Sequence, residues 1–146
     1  MAIWCLTTSP ENVAKTAELG WKLQGIKSRR GKTAREMRPG DKIVYYVTRV
    51  SAFAATVEVT GEAYEDHEPI WTSKPGEDYP WRVEIRPEVT LPEPDWVPAE
   101  ELLDDLEFPK KWPRESWKLA FQGNVRAWPE HDYQVVKAAL DAAAAG

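Results

Sequence analysis

The residues of this chain best suited to chemistry are aromatic rings and cations, not a catalytic set. Eight tryptophans stand with five tyrosines and three phenylalanines, too much aromatic surface for a solvated coil. Trp4, Trp81 and Trp96 sit in strand-like segments, where core packing is the default. Trp21 opens a basic stretch, Trp71 lies in a polar loop between Pro69 and Pro75, and Trp112 and Trp117 lie in a second basic stretch. A large aromatic in a polar loop either pins the loop to the body or faces a ligand. Rings beside cations are what a nucleobase reader needs. Stacking on one aromatic is worth roughly 1–3 kcal/mol per base, while taking a base out of a duplex costs a few kcal/mol. One ring barely offsets that cost; a ring on each side does. A methyl in an apolar cage adds only about 0.8 kcal/mol. Strong discrimination of a methylated base therefore also needs polar groups matched to its edge, and Asn and Ser can both donate and accept.

Enzymatic signatures are sparse. Gly25 and Gly31 are isolated, with no Gly-Lys-Ser/Thr phosphate loop and no nucleophile elbow. His67, in Glu65-Asp66-His67-Glu68, has only local carboxylates and lacks the separated ligands of a metal site. His131, between Glu130 and Asp132, reads as a surface residue. Cys5 cannot form an internal disulfide and sits in an apolar run, so it reads as a core thiol. No metal and no cofactor is expected.

The net charge of -5 argues against a generic duplex-DNA coat, but the charge is segregated. Lys22 to Lys42 holds eight bases and two acids; Glu58 to Asp105 holds fifteen acids and three bases; Leu106 to Trp128 turns basic again. That pattern gives a positive and a negative face, or two solvated surfaces. No apolar run is long enough to span a bilayer, and the first residues lack a signal peptide's basic start. A cytoplasmic protein without a membrane partner is expected. The Ala-rich ending and the Arg, Trp and Pro usage suit a GC-rich bacterium.

The elements that must position these residues follow from periodicity. Ile3 to Leu6 reads as a strand. Ser9-Pro10-Glu11-Asn12 starts a helix that Gly20 stops. Thr33 to Met37 reads as a short helix and Arg38-Pro39-Gly40-Asp41 as a turn. Lys42 to Val50 and Ala52 to Thr60 read as paired antiparallel strands, and Gly61 to Tyr79 as an acidic loop. Trp81 to Arg86 alternates with period two, Val89 to Trp96 reads as another strand, and Pro98 to Leu106 as a short helix. Glu115 to Phe121 reads as a helical turn, Gln122 to Asn124 as a break, and Pro129 to Ala145 as a helix. The result is one α+β domain over residues 1–146 with a strongly curled or barrel-like sheet at its centre.

In this order the motifs resemble the EVE domain family, of the PUA-like superfamily and related to the YTH readers of methylated RNA. The carriers are Trp4-Cys5-Leu6-Thr7-Thr8-Ser9-Pro10-Glu11-Asn12, Gly20-Trp21, the Pro39-Gly40-Asp41 turn with Lys42 to Val47, Pro69-Ile70-Trp71 with Tyr79-Pro80-Trp81-Arg82-Val83, and Phe121 to Tyr133. The resemblance implies a PUA-like, YTH-like curled, barrel-like mixed sheet flanked by helices. It also implies a pocket for a flipped modified base, chiefly 5-methylcytosine in DNA, with DNA favoured over RNA. It makes Trp21 and Trp71 the cage walls. Asn12 and Ser9 would address the base edge, and Gly123, Asn124 and Arg126 would line the other side. Lys22, Lys27, Arg29, Arg30, Lys32, Arg35 and Lys111 are expected at the nucleic-acid backbone. Lys22 stands where YTH relatives carry a small polar residue, and Pro75 where some carry an aromatic. Family analogy adds a restriction or defence-system partner. Two alternatives stay open: an amidohydrolase similar to the ASCH group, using Lys42, Thr48 and Glu58 on a modified cytidine, and a protein-interaction module.

Overall fold

Two-residue alternation sets the architecture. In β1 (Ile3–Thr8), Ile3 and Cys5 join one hydrophobic cluster and Trp4 and Leu6 another. In β3 (Lys42–Val47), Val44 and Tyr46 join the first, while Ile43, Tyr45 and Val47 join the second. Strands apolar on both faces must be covered on both. One face is covered by α3 (Glu130–Ala145) and the 3-10 turns between residues 99 and 121, through Leu106, Phe108, Phe121, Val136 and Leu140. The other lies under α1 (Pro10–Glu18) and α2 (Gly31–Glu36), through Val13, Ala34 and the adjoining Met37. Cys5 is buried, and burial pushes its thiol well above the ordinary thiol range.

The computed structural model describes residues 1–72 and 74–146. The strand order is β2-β6-β4-β3-β1-β8, with β2 (Leu23–Ile26), β4 (Ala52–Val59), β6 (Trp81–Thr90) and β8 (Val125–Trp128). Two-residue β5 (Tyr64–Glu65) adds to β6, and β7 (Val97–Pro98) adds to β4. β1 and β3 are parallel, with Ile3 opposite Lys42; the other pairs are antiparallel. Bulges at Tyr45/Tyr46 and Thr56/Val57 curl the sheet, giving the α+β, curled sheet that the pattern predicts and the mixed pairing that the family resemblance implies.

Several local expectations are corrected. β2 and β8 fall where the sequence shows no alternation. No separate strand covers Val89 to Trp96: β6 continues to Thr90, and Glu93–Asp95 is a 3-10 turn. Pro87 is tolerated inside β6 because the ladder to β4 shifts register beside it. The segments read as helical over Pro98 to Leu106 and Glu115 to Phe121 contain the 3-10 turns Ala99–Leu102 and Arg114–Phe121.

Candidate functional site

The topology gathers three chain segments at the carboxyl end of β1. Parallel β3 leaves the sheet there, and antiparallel β8 enters beside it. The Thr48 amide donates to Thr8 O at 2.9 Å, and the Thr7 amide to Asn124 O at 2.8 Å. α1 starts at the same place, capped by Ser9, whose Oγ accepts from the Asn12 amide at 3.1 Å. A cleft of about 450 Å³ opens between these ends and Thr72, Lys74, Glu77 and Tyr79. Its cations come from three separate segments: Lys27 and Arg29 after β2, Arg49 from the β3–β4 turn, and Lys74. Thr7, Thr8, Ser9, Thr48 and Thr72 supply hydroxyls, Tyr79 the ring and Glu77 the carboxylate. Lys27 Nζ lies 3.5 Å from Glu77 and 6.0 Å from the Tyr79 ring centre. Arg49 pairs with Glu11, and its hydrogen bond holds that carboxyl below its usual range. The first turn of α1 adds the positive end of a helix dipole.

Of the residues nominated from sequence, Ser9, Asn12, Lys27, Arg29, Gly123 and Asn124 line this cleft. Gly123 has φ +87°, which favours glycine; a Cβ there would also meet Arg30 Nη2 at 2.8 Å, the mobile end of a side chain that can shift. Asn12 and Asn124 do not present free amides. Asn12 Nδ2 donates to Thr72 O at 2.8 Å and its Oδ1 accepts from the Thr72 amide at 2.8 Å. Asn124 Oδ1 accepts from the Lys27 amide at 3.0 Å, and its Nδ2 donates to Thr7 O at 3.4 Å. These side chains hold the cleft's walls together.

The two nominated indoles line no cleft in common among those described. Trp71 is 5% exposed, and its Nε1 donates to Thr16 Oγ1 at 3.0 Å. Thr16 donates to Gln24 Oε1 at 2.9 Å, which also accepts from the Tyr45 hydroxyl at 2.8 Å. The ring fills the space over Gly25 and under Arg82. Trp71 therefore pins segment 66–80 to the body through a buried, satisfied polar chain. Trp21 packs edge-on against Tyr45 at 5.1 Å and lines a different groove with Val13, Ala14, Ala17 and Trp96. The Trp21 amide donates to Thr16 O at 3.0 Å, so both tryptophans are tied to Thr16, one through its backbone and one through its side chain.

The other nominated cations disperse. Arg30 abuts Gly123. Arg35 stacks over Trp81 at 4.9 Å, and Lys111 over Phe108 at 4.8 Å. Arg126 donates to Gln122 O at 2.8 Å and lies over Trp112. Lys22 and Lys32 are exposed and are not among the cleft's lining residues. Sequence reasoning missed Arg49, Lys74, Thr48 and Tyr79 as lining residues; the signal for Arg49 was a four-residue turn between two strands, 48–51.

The amidohydrolase set is not assembled. Lys42 and Glu58 pair at 3.0 Å, but Thr48 lies beyond the opposite end of β3. Burial pulls the Lys42 ammonium down, and hydrogen bonds to Glu88 and Glu58 outweigh it, so the net shift is upward and the group stays protonated. Among the described residues, Glu107, His131 and Asp132 form the one metal-like cluster, but the two Asp132 oxygens already accept from the Glu107 and Phe108 amides at 2.8 and 2.7 Å.

The EVE domain model matches residues 2–138. The chain belongs to the EVE domain family. A UPF0310 protein of Pyrococcus abyssi is 31% identical over 149 residues, covering 96% of this chain and 100% of that one. Among solved structures, the Mmi1 YTH domain superposes with a TM-score of 0.70 at 8% identity, covering the whole of both chains. Human THYN1, solved in complex with 5-methylcytosine-containing DNA, superposes with a TM-score of 0.62 at 15% identity, covering 95% of this chain and 98% of that one. At such identities the likeness establishes the fold of this EVE domain, and its own cleft carries the chemistry.

Proposed function

We propose that this EVE domain is a non-enzymatic reader that holds a modified base, of the 5-methylcytosine type in DNA, in the cleft at the carboxyl end of β1. The observation that carries the reading is the convergence of Lys27, Arg29, Arg49 and Lys74, from three segments, around one concave site in a protein of net charge -5. Cations so placed match phosphates flanking an inserted base. A solved structure of similar fold, human THYN1, contains 5-methylcytosine DNA, which supports the choice of base.

The cleft's content sets the energetics. Tyr79 is the one aromatic ring among the described lining residues, so stacking supplies roughly 1–3 kcal/mol against an extrusion cost of a few kcal/mol. Phosphate contacts must make up the difference, and a base already unstacked is favoured. The threonine methyls of Thr7, Thr8, Thr48 and Thr72 are the apolar groups available to a C5-methyl. One buried methyl contributes about 0.8 kcal/mol, or about fourfold in affinity.

The test is fluorescence anisotropy with single-stranded oligonucleotides carrying one 5-methylcytosine or one cytosine. The expected result is about fourfold tighter binding of the methylated strand. The log–log salt slope should approach about -3 if all four cations meet phosphates. Equal affinity for both strands, or binding indifferent to salt, contradicts the reading. Turnover of N4-acetylcytidine would contradict its non-enzymatic part.

A further inference from the structure

The cleft does not end at the β3–β4 turn. Thr7, Thr48, Arg49 and Gly123 line it and also line a second recess of about 350 Å³ on their other side. Tyr46 and Phe121, stacked with ring centres 4.0 Å apart, lie at its base. Ser51, Lys118 and Gln122 complete it. Its charged lining residues are Arg49 and Lys118, with no carboxylate among the lining residues described. Lys118 is exposed, with its ammonium over the Trp117 ring at 5.6 Å, and forms no ion pair among the described residues.

The turn between the two recesses carries a second signal. Arg49 has φ +67° and Ser51 φ +53°, a left-handed backbone that disfavours residues with a side chain. A four-residue turn holding two such residues, neither Gly nor Asn, is stored strain of the kind that clusters at ligand sites. Here it places a guanidinium on the rim shared by both recesses.

We infer that the second recess holds the nucleotide adjoining the recognised base, with Lys118 taking its phosphate and Ser51 and Gln122 its polar edge. The inference rests on the reader function proposed above and extends it: the protein takes a strand, not an isolated base, and the strand crosses between α1 and β8 over the Thr7–Thr48–Gly123 saddle. An all-cationic, hydroxyl-bearing recess continuous with a base-sized cleft suits a sugar-phosphate chain better than an acidic partner peptide, whose apolar anchors would find only the edges of Tyr46 and Phe121.

The experiment compares wild type, Lys118→Gln and Lys118→Glu, with Lys137→Gln on α3 as a distant control. Each is titrated with 5-methyl-2′-deoxycytidine and with a single-stranded 9-mer carrying one 5-methylcytosine. Lys118→Gln should leave nucleoside affinity within twofold, weaken the 9-mer about fivefold, and reduce the log–log salt slope by about 0.7. Lys118→Glu should weaken it further, and Lys137→Gln should behave as wild type. If wild type prefers the methylated 9-mer and both Lys118 variants bind it unchanged, the second recess carries no nucleotide and only this inference falls. If wild type does not distinguish methylated from unmethylated 9-mers, the reader function falls and takes the inference with it.

Discussion

Asn12→Ala separates a staple from a base reader. Asn12 is 4% exposed, and its amide exchanges two hydrogen bonds of 2.8 Å with the Thr72 peptide. The contacts to the Tyr79 hydroxyl at 3.3 Å and from Thr72 Oγ1 at 3.4 Å are longer and secondary. Each good bond contributes about 0.5–1.5 kcal/mol net, so truncation should cost about 1–3 kcal/mol. For a chain of this length 1 kcal/mol corresponds to about 3 °C, giving a Tm fall of about 3–9 °C. Asn12→Asp keeps the acceptor for the Thr72 amide and places a negative charge in the first turn of α1, which is favourable by about 0.3–1 kcal/mol; it should lose less than half as much. Thermal denaturation reads the magnitude, and hydrogen exchange reads the place: protection should fall across residues 66–80 while β1, β3 and β4 stay protected. An Asn12→Ala variant with wild-type Tm and unchanged exchange in that segment, but without ligand binding, would refute the staple and restore Asn12 as a direct reader.

Further outcomes follow from the same contacts. In Gly25→Ala the new Cβ would lie 2.4 Å from the Trp71 ring; overpacking should cost about 1–3 kcal/mol and shift the tryptophan emission. Adding Trp71→Phe should recover part of that loss in a double-mutant cycle. Arg49→Gly relieves a backbone at φ +67°, worth about 1–2 kcal/mol for a residue with a side chain, partly offset by the entropy of glycine. Its Tm should equal or exceed wild type while DNA affinity and salt slope both fall; a lower Tm, or unaltered binding, contradicts the role given to the turn. Hydrogen bonds that the His67 ring donates to Asp78, then Glu65, raise it above its ordinary 6.5. The raised value means that protonation favours the folded state, so this contribution is complete below about pH 6.5 and is lost as pH rises through the folded-state value. Exchange in 66–80, corrected for intrinsic rate, should increase over that interval and become flat in His67→Ala.

The parts of the fold legible in the sequence are those with long periodic signals. β1, β3, β4, α1 and α3 follow from alternation, capping and a helical stripe. β2 was not legible because Leu23–Ile26 is four residues with a glycine inside; Gly25 is there for Trp71, whose ring lies where a side chain would. In the site, Ser9, Asn12, Lys27, Arg29, Gly123 and Asn124 were legible by position. The work of Asn12 was not, because its partner is a peptide sixty residues away. The burial of Trp71 was not legible for a related reason: the hydroxyl that takes its indole N–H, Thr16, lies 55 residues away. Lys74 gave no signal, and the turn that carries Arg49 did not single it out, because a cation in a turn is ordinarily a solvated charge.

The central claim is that a modified base enters the cleft between the α1 start, the β3–β4 turn and the β8 entry. Amide chemical-shift mapping during titration with a 9-mer carrying one 5-methylcytosine tests it most directly. The account predicts the largest, saturable shifts at Thr8, Ser9, Lys27, Arg49, Tyr79 and Gly123, with smaller ones from the unmethylated strand. Shifts centred instead on Trp21, Ala17 and Trp96, or identical for both strands, would contradict it.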